Sequence, residues 1–259
     1  MTDSSDGLLK LFHPLVGQWF TEQVGTPTDI QGLAWPRISS GEHVLISAPT
    51  GSGKTLTAFL WALNQLITET WDSGATRVLY VSPLRALNND IRRNLTRPLE
   101  ELRRVFDASG EPFPDIHVLT RSGDTPASDR RKMMRRPPEI LITTPESLNL
   151  MLSSAGGRGM LDGLETVILD EIHGVVDGKR GVHLMTAVER LVLLSGEFQR
   201  IALVGHRSAY GDNSGTGRRV YAGRHHTGQN PQCTAGDVDS FPGPKAVRGE
   251  RAVSTGCRR

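Results

Sequence analysis

The chain of 259 residues has only two cysteines, Cys233 and Cys257, and both lie near its C-terminal end. The residues before Cys233 contain no cysteine, so they can form neither a disulfide nor a cysteine-based metal site. No apolar run approaches the ~20 residues that a membrane-spanning helix needs. The N-terminal residues Met1–Gly7 are polar and acidic, which a signal peptide is not. These absences predict a soluble, cytoplasmic protein that has no membrane partner.

The C-terminal part lacks large apolar residues. Residues 205–259 contain no Leu, Ile, Met or Trp but ten Gly, and their nine Lys and Arg against four Asp and Glu give a charge of +5. Because the whole chain carries +2, residues 1–204 carry 2 − 5 = −3. A segment with the composition of residues 205–259 buries too little apolar surface to offset its conformational entropy. We predict a flexible N-terminus at 1–10, a folded domain at 11–204 and a disordered Gly/Arg-rich tail at 205–259.

Within the folded domain, short apolar runs alternate with stretches of helical periodicity. Continuous runs rich in β-branched residues are typical of strands buried on both faces of a parallel sheet. Helical stretches between them predict an α/β fold, with ligands bound at the carboxyl ends of the strands. The predicted strands are 44–46, 78–81, 116–119, 140–142, 167–169 and 201–204, and the predicted helices are 56–70, 86–106, 128–136, 147–152 and 182–194.

A glycine-rich loop follows the first of these strands and ends in Gly53, Lys54 and Thr55, directly before a helical stretch. Strand, glycine-rich loop and helix form the context of a phosphate-binding P-loop, although Ala48 stands where the strict motif has Gly. Backbone N–H groups at a helix N-terminus attract phosphate, the lysine reaches the β- and γ-phosphates, and the hydroxyl of Thr55 binds Mg²⁺. The loop predicts a site for ATP and Mg²⁺ whose binding residues are Thr50, Gly51, Ser52, Gly53, Lys54 and Thr55.

Two adjacent acids, Asp170 and Glu171, end the apolar run 167–169. Taken alone, such a pair is often a solvated turn. Beside a P-loop, it suggests that Asp170 binds Mg²⁺ together with Thr55 and that Glu171 orients and deprotonates the attacking water. The predicted catalytic residues are Lys54, Asp170 and Glu171.

Two further strands end in a hydroxyl residue followed by proline, at Ser82-Pro83 and at Thr144-Pro145. Ser or Thr before Pro is a helix-start signature, and a helix N-terminus binds phosphate without reading bases. Helix capping without a ligand is the alternative. The predicted contacts with a nucleic-acid backbone are Ser82, Pro83, Arg85, Arg121, Gly123, Thr144 and Pro145.

These motifs together resemble the superfamily 2 helicases of the DEAD/DEAH group, with Asp170-Glu171-Ile172-His173 as motif II. Within that group, residues 11–204 most resemble the large helicase-related (Lhr) family of bacterial DNA helicases. Seven segments carry this closer resemblance: 12–14, 27–31, 82–87, 121–126, 143–148, 170–173 and 179–184.

The resemblance implies a RecA-like ATP-binding domain in which Gln31 reads adenine and His173 couples ATP to the next motif. It implies an ATP-dependent helicase or translocase that moves 3′ to 5′ on single-stranded or forked DNA, with RNA as a possible substrate, and a role in DNA repair. An RNA helicase of the DEAD-box type and a non-catalytic nucleotide or nucleic-acid binder remain as alternatives.

The resemblance ends where the family has Ser-Ala-Thr, because this chain has Val204-Gly205-His206. The second RecA-like domain of the family, with its arginine finger, has no counterpart in residues 205–259, so we expect weak or no ATP turnover by this chain alone. The abrupt change suggests a shift of reading frame, and a neighbouring frame of the gene should then encode Ser-Ala-Thr. A genuine Arg/Gly-rich nucleic-acid-binding arm is the alternative.

Overall fold

The computed structural model describes residues 7–49, 51–82, 85–172, 178–206 and 219–223. For residues 85–94, His206 and Arg219, only the backbone is described. All of these residues belong to one compact unit, Met1–His225.

A seven-stranded sheet forms the centre of the described residues, in the order β3-β4-β2-β5-β6-β1-β7. Strands β1 to β6 are parallel to one another, and β7 is antiparallel to β1 at the edge. The strands are β1 (His43–Pro49), β2 (Val78–Val81), β3 (Val118–Arg121), β4 (Ile140–Thr143), β5 (Thr166–Asp170), β6 (Gln199–His206) and β7 (Arg219–Gly223). The helices are α1 (Pro14–Gln23), α2 (Asp29–Ser39), α3 (Lys54–Ile67), α4 (Arg85–Ser109), α5 (Ala127–Arg135), α6 (Pro145–Leu152), α7 (Ala155–Leu161) and α8 (Lys179–Ser195).

Helices cover both faces of the sheet, and each face has its own apolar core. Successive strand side chains point to opposite faces, so Val78 and Tyr80 join one core while Leu79 and Val81 join the other. The first core is completed by apolar residues of α1, α2, α3 and α4. The second core is completed by residues of α6, α7 and α8. Because both faces are buried, the strand sequences are continuously apolar.

The predicted α/β fold with a mostly parallel sheet is confirmed. Five of the six predicted strands match to within two residues at each end. The strand predicted at 116–119 is displaced to Val118–Arg121, because Ile116 is buried in the lead-in to β3. The strand predicted at 44–46 extends to Pro49.

Some ordered segments differ from the predicted domain boundaries. In the predicted flexible N-terminus, Leu9 packs against the first core, and residues 1–6 lie outside the described part of the chain. In the predicted disordered tail, β6 continues through Gly205 to His206, and β7 pairs with β1. The remaining tail residues, 207–218 and 224–259, lie outside the described ranges. Helices α1, α2 and α7 have no counterpart among the predicted elements.

Among the residues with a described placement, no helix is both long enough and apolar enough to span a bilayer.

Candidate nucleotide and nucleic-acid site

The strands β1 and β5 lie on either side of β6, and all three end at the same edge of the sheet. In the pairing register, Leu203 of β6 is opposite both Ile46 of β1 and Asp170 of β5. The loop after β1 and the acids at the end of β5 therefore meet across the end of β6. This arrangement brings the predicted phosphate loop and the predicted metal carboxylate together.

The loop between β1 and α3 has a backbone that requires glycine. Gly51 and Gly53 have φ values of 81° and 84°, in the left-handed region that other residues adopt only at a cost. Gly53 directly precedes the first residue of α3. The hydroxyl of Ser52 is buried and has no hydrogen-bond partner among the described residues. The glycines thus shape a loop that leads into a helix N-terminus, and the Ser52 hydroxyl is an orphaned group within it.

Lys54 is the first residue of α3, and its side chain is folded back onto the loop. Its Nζ donates hydrogen bonds to the carbonyl oxygens of Ala48 at 2.7 Å and Pro49 at 2.9 Å. Burial lowers the pKa of Lys54, while the carboxylates of Glu171 and Asp170 act in the opposite direction. The ammonium group therefore lies in a desolvated site with both predicted acids near it, where an anionic ligand gains most from its charge.

Gln31 on α2 lies against the same loop and is 1% exposed. A Cβ atom on Gly53 would be 3.3 Å from its Nε2. Its Oε1 accepts a hydrogen bond of 2.8 Å from the backbone N–H of Thr28, which caps α2. Because the amide oxygen serves the helix start, the Nε2 group is the part of Gln31 that faces the phosphate loop.

Asp170 is buried at the end of β5, and both of its carboxylate oxygens accept hydrogen bonds. Oδ2 accepts from the hydroxyl of Tyr80, and Oδ1 accepts from the backbone N–H of Glu171 at 2.8 Å. A carboxylate oxygen has two lone pairs, so a hydrogen-bond donor and a metal ion can share one oxygen.

Glu171 turns the chain away from the sheet in a left-handed conformation, with φ of 49°. This conformation is uncommon outside glycine and is often found at functional sites. Its carboxylate lies beside Gly205, where an added Cβ atom would be 3.0 and 3.2 Å from the two oxygens. Gly205 lies within β6 at the point where the chain departs from the Ser-Ala-Thr of the family, and it therefore borders the predicted catalytic acid.

The hydroxyl residues predicted to contact nucleic acid are buried. Ser82 is 0% exposed, and its hydroxyl has no partner among the described residues. Thr144 is 2% exposed and caps α6, because its Oγ1 accepts from the N–H of Ser147 at 3.3 Å. Pro145 is also buried. The expected helix cap at Thr144 is therefore present, and a strand that binds at the start of α6 would meet Glu146, the exposed residue of its first turn.

Arg121 ends β3 and is a partly buried cation. Its Nη1 is buried and has no hydrogen-bond partner in the described part of the chain. Burial lowers the pKa of Arg121, and the nearby charge of Arg130 lowers it further. Arg130 itself donates to the carbonyl oxygens of Gly123 at 2.8 Å and Thr125 at 2.7 Å, which fixes the turn after β3. Arg121 is thus held beside a second cation and has an unused donor.

The first turns of α6 and α8 border a shallow cavity of about 200 Å³. Arg180 of α8 donates to Glu146 of α6 at 2.7 Å. Burial raises the pKa of Glu146, but its own backbone N–H and Arg180 outweigh that effect and hold the pKa below its usual value. The cavity is lined by Pro145, Glu146, Asn149, Lys179, Arg180 and His183.

Several predicted site residues lie outside the described residues. These are Thr50, Pro83 and His173. Arg85 begins α4, but its side chain is not described. Thr55 follows Lys54 in the first turn of α3, and Gly123 lies in the turn that Arg130 holds.

Sequence reasoning missed three features of this site. They are the hydrogen bond of Tyr80 to Asp170, the contact of Gly205 with Glu171 and the ion pair between Arg180 and Glu146. A strand-register argument could have found the first, since Tyr80 is opposite Ile168 and shares its face of the sheet with Asp170 two residues later.

Comparison with known proteins agrees with this geometry. The model of a family described as DEAD/DEAH box helicase matches residues 28–204. The chain is 50% identical over 205 residues to a Lhr helicase/probable uracil glycosylase of Mycolicibacterium smegmatis, which covers 78% of this chain and 14% of that protein. It is 50% identical over 203 residues to an ATP-dependent helicase Lhr-Core protein 2 of Thermococcus barophilus, which covers 77% of this chain and 24% of that protein.

A solved structure of the helicase Lhr of Mycobacterium smegmatis, bound to ssDNA and AMP-PNP, is also similar. It superposes with a TM-score of 0.73 at 50% identity and covers 77% of this chain and 25% of that chain. The chain thus spans between about a seventh and a quarter of the length of these relatives.

Proposed function

Because the chain belongs to the DEAD/DEAH box helicase family, we propose that its P-loop binds ATP with Mg²⁺ and that the neighbouring sheet edge binds single-stranded DNA. Members of this family are ATP-dependent helicases that act on nucleic acids. In this proposal the chain supplies the nucleotide-binding half of such an enzyme.

The environment of Lys54 is the observation that carries the nucleotide part. A buried ammonium group at a helix N-terminus, which donates to two carbonyl oxygens of the described loop, is poised to exchange these oxygens for phosphate. Phosphate oxygens are charged acceptors and form stronger hydrogen bonds with Lys54 than neutral carbonyls do. Binding would therefore release Ala48 and Pro49 and draw the side chain toward the ligand.

The residues present also fit Mg²⁺. Asp170 offers a buried carboxylate, and Thr55 offers a hydroxyl at the first turn of α3. Mg²⁺ prefers oxygen ligands and keeps several waters, so one carboxylate, one hydroxyl and the phosphates suffice. When bound, Mg²⁺ neutralises charge on the phosphate oxygens. Glu171 follows the metal carboxylate directly and would hold and deprotonate the attacking water.

Arg121 supports the nucleic-acid part. Its desolvated cation has an unused donor and a second cation as neighbour, so an anion would relieve both the missing hydrogen bond and the repulsion. Single-stranded nucleic acid carries one phosphate per nucleotide. A strand bound at the sheet edge where β3 and β4 end would supply such an anion to Arg121. The choice of DNA follows the relative of 50% identity that was solved with ssDNA.

Turnover by this chain is proposed to be slow. In enzymes of this type an arginine finger stabilises the transition state and contributes ~10³–10⁵ in rate. The described residues that match the family form one RecA-like domain. In these enzymes the arginine finger belongs to a second RecA-like domain. We therefore propose binding of ATP and single strands with little ATP hydrolysis and no strand separation by the 259 residues alone.

Binding of a fluorescent ATP analogue and of fluorescent oligonucleotides to the purified chain tests this function. Lys54→Ala should weaken nucleotide binding at least about tenfold, since a charged hydrogen-bonding partner is lost. The exposed Lys132 on α5 provides the matched control, and Lys132→Ala should bind the nucleotide normally. Equal binding by Lys54→Ala and the unchanged chain would contradict the nucleotide part.

Arg121→Ala should weaken binding of an oligothymidine strand, and Arg131→Ala removes the same charge from an exposed position of α5 as its control. The slope of log affinity against log salt should fall by about 0.7 for one lost phosphate contact. Tighter binding of an oligouridine strand would favour an RNA substrate. Rapid ATP hydrolysis stimulated by either strand would contradict the proposed slow turnover.

A further inference from the structure

Tyr80 is the fully buried aromatic residue of β2, and it lies directly beside β5 in the sheet. It is 0% exposed, and its ring stacks on Phe59 of α3 with centroids 5.1 Å apart. A phenylalanine would fill the same space and make the same stacking contact. Packing alone therefore does not explain why this position carries a hydroxyl group.

The hydroxyl of Tyr80 donates a hydrogen bond to Oδ2 of Asp170. The strand register explains how the two meet: Tyr80 is opposite Ile168, and Asp170 follows on the same face of the sheet. The phenol is the donor of this hydrogen bond, since an ionised carboxylate oxygen can only accept. A protonated phenol beside a carboxylate forms a charge-assisted hydrogen bond, which is stronger than a neutral one.

The second oxygen of Asp170 is held from the other side. Oδ1 accepts the backbone N–H of Glu171 at 2.8 Å. Because each oxygen accepts a donor, the carboxylate plane is fixed about its last rotatable bond, a bond that otherwise turns over a broad range. A carboxylate oxygen can accept more than one partner, and the two donors determine the direction that each oxygen presents to a further ligand.

We propose that Tyr80 is a positioning residue that orients the Asp170 carboxylate toward the divalent cation of the nucleotide site. The proposal rests on the proposed function, in which Asp170 binds Mg²⁺. Tyr80 itself touches neither the metal nor the nucleotide. Its hydroxyl fixes the carboxylate before the ligand arrives, so less conformational freedom is lost on binding.

Tyr80→Phe tests this role, because it removes the hydroxyl and keeps the ring. The affinity of the chain for a fluorescent ATP analogue is measured at increasing Mg²⁺ and, separately, in EDTA. We expect the Mg²⁺ concentration at half-maximal enhancement to rise about three- to tenfold, as for the loss of one hydrogen bond to a charged group. Affinity in EDTA should stay unchanged, since Lys54 and the loop are untouched.

Phe59→Leu is the matched control, because it removes the stacking partner and keeps the Tyr80 hydroxyl. It should lower the midpoint of thermal unfolding and leave the Mg²⁺ dependence unchanged. If both variants shift the Mg²⁺ dependence equally, packing rather than the hydroxyl is responsible and the proposal is wrong. A normal Mg²⁺ dependence in Tyr80→Phe would overturn it as well.

A ligand-free crystal structure of Tyr80→Phe separates this proposal from the proposed function. The Asp170 carboxylate should rotate away from its present orientation when Oδ2 loses its donor. An unchanged orientation would refute the positioning role, whether or not the chain binds nucleotide. Failure of the unchanged chain to bind nucleotide, with rotation of Asp170 in the variant, would instead contradict the proposed function alone.

Discussion

Glu101 joins two helices through a single carboxylate. Its Oε2 accepts from the indole N–H of Trp19 on α1 at 3.1 Å, and its Oε1 accepts from Arg97 on α4 at 2.7 Å. The hydrogen bond from Arg97 lowers the pKa of Glu101, and the one from Trp19 lowers it further, although burial opposes both. The charged form is therefore the one that the folded state favours.

The pKa shift of Glu101 makes a small part of the stability depend on pH. A carboxyl group whose folded pKa is lowered stabilises the fold above its unfolded value, here 4.5, and this contribution is lost as pH falls through the folded value. Glu101→Gln keeps an acceptor for Trp19 but cannot titrate. The free energy of unfolding of the unchanged chain should exceed that of Glu101→Gln near neutral pH, and the difference should shrink below pH 4.5. Urea unfolding at several pH values measures it, and a constant difference would contradict the assignment.

Single residues of the site were predictable where their signal is local in sequence. Lys54 ends a glycine-rich loop that follows an apolar run, and Asp170 directly follows another apolar run. The structure brings these two residues near each other. Tyr80 carries no such signal, because its role depends on the neighbouring strand and on the register between them. Arg130 is part of a basic run that looks like a solvated face, yet it holds the turn after β3 through two backbone carbonyls.

At the scale of elements, the N-terminus of α6 already holds an acid. Glu146 lies in its first turn, accepts its own backbone N–H and pairs with Arg180 of α8. A carboxylate at a helix N-terminus occupies the place where a strand phosphate would bind. If α6 binds the strand as predicted, Glu146 competes with the phosphate and Arg180 is partly neutralised.

Glu146→Gln should therefore strengthen binding of an oligothymidine strand about two- to fivefold, the effect of one charge at a helix N-terminus. The variant should also lose a little stability, because a negative charge there stabilises the helix. Glu100→Gln on α4 makes the same charge change at another exposed position and should leave the affinity unchanged. Anisotropy titrations at one salt concentration compare the three proteins. Weaker binding by Glu146→Gln would indicate that the acid supports the strand site instead of competing with it.

The strands were easier to predict than the helices before β1. Buried parallel strands are continuously apolar, so β2, β4, β5 and β6 stand out along the chain. The strand β3 lies at an edge and is only half-buried, so its apolar pattern is weaker and its predicted bounds were two residues too early. The helices α1 and α2 are short and precede the first strong motif, and α2 contains Pro36.

At the scale of the whole molecule, the predicted resemblance to the DEAD/DEAH helicases and to their large helicase-related members is confirmed. The strand β7 does not follow from that resemblance, because it lies beyond the matched residues. It pairs with β1 from His43 to Ser47, and Val220 packs against the first core. An open edge pairs through backbone groups alone, so a short apolar stretch is sufficient to occupy it.

Removing β7 should destabilise the domain. A chain that ends at His206 exposes the backbone donors and acceptors of β1 and the core surface under Val220, whereas a chain that ends at His225 keeps the whole compact unit. We expect the shorter chain to unfold at a midpoint lower by several degrees, since each kcal/mol lost shifts a domain of this size by about 2–4 °C. Val220→Asp in the 259-residue chain should produce part of the same loss. Calorimetry of the three proteins measures these midpoints, and equal midpoints for the two shortened chains would show that β7 adds nothing to the stability of the sheet.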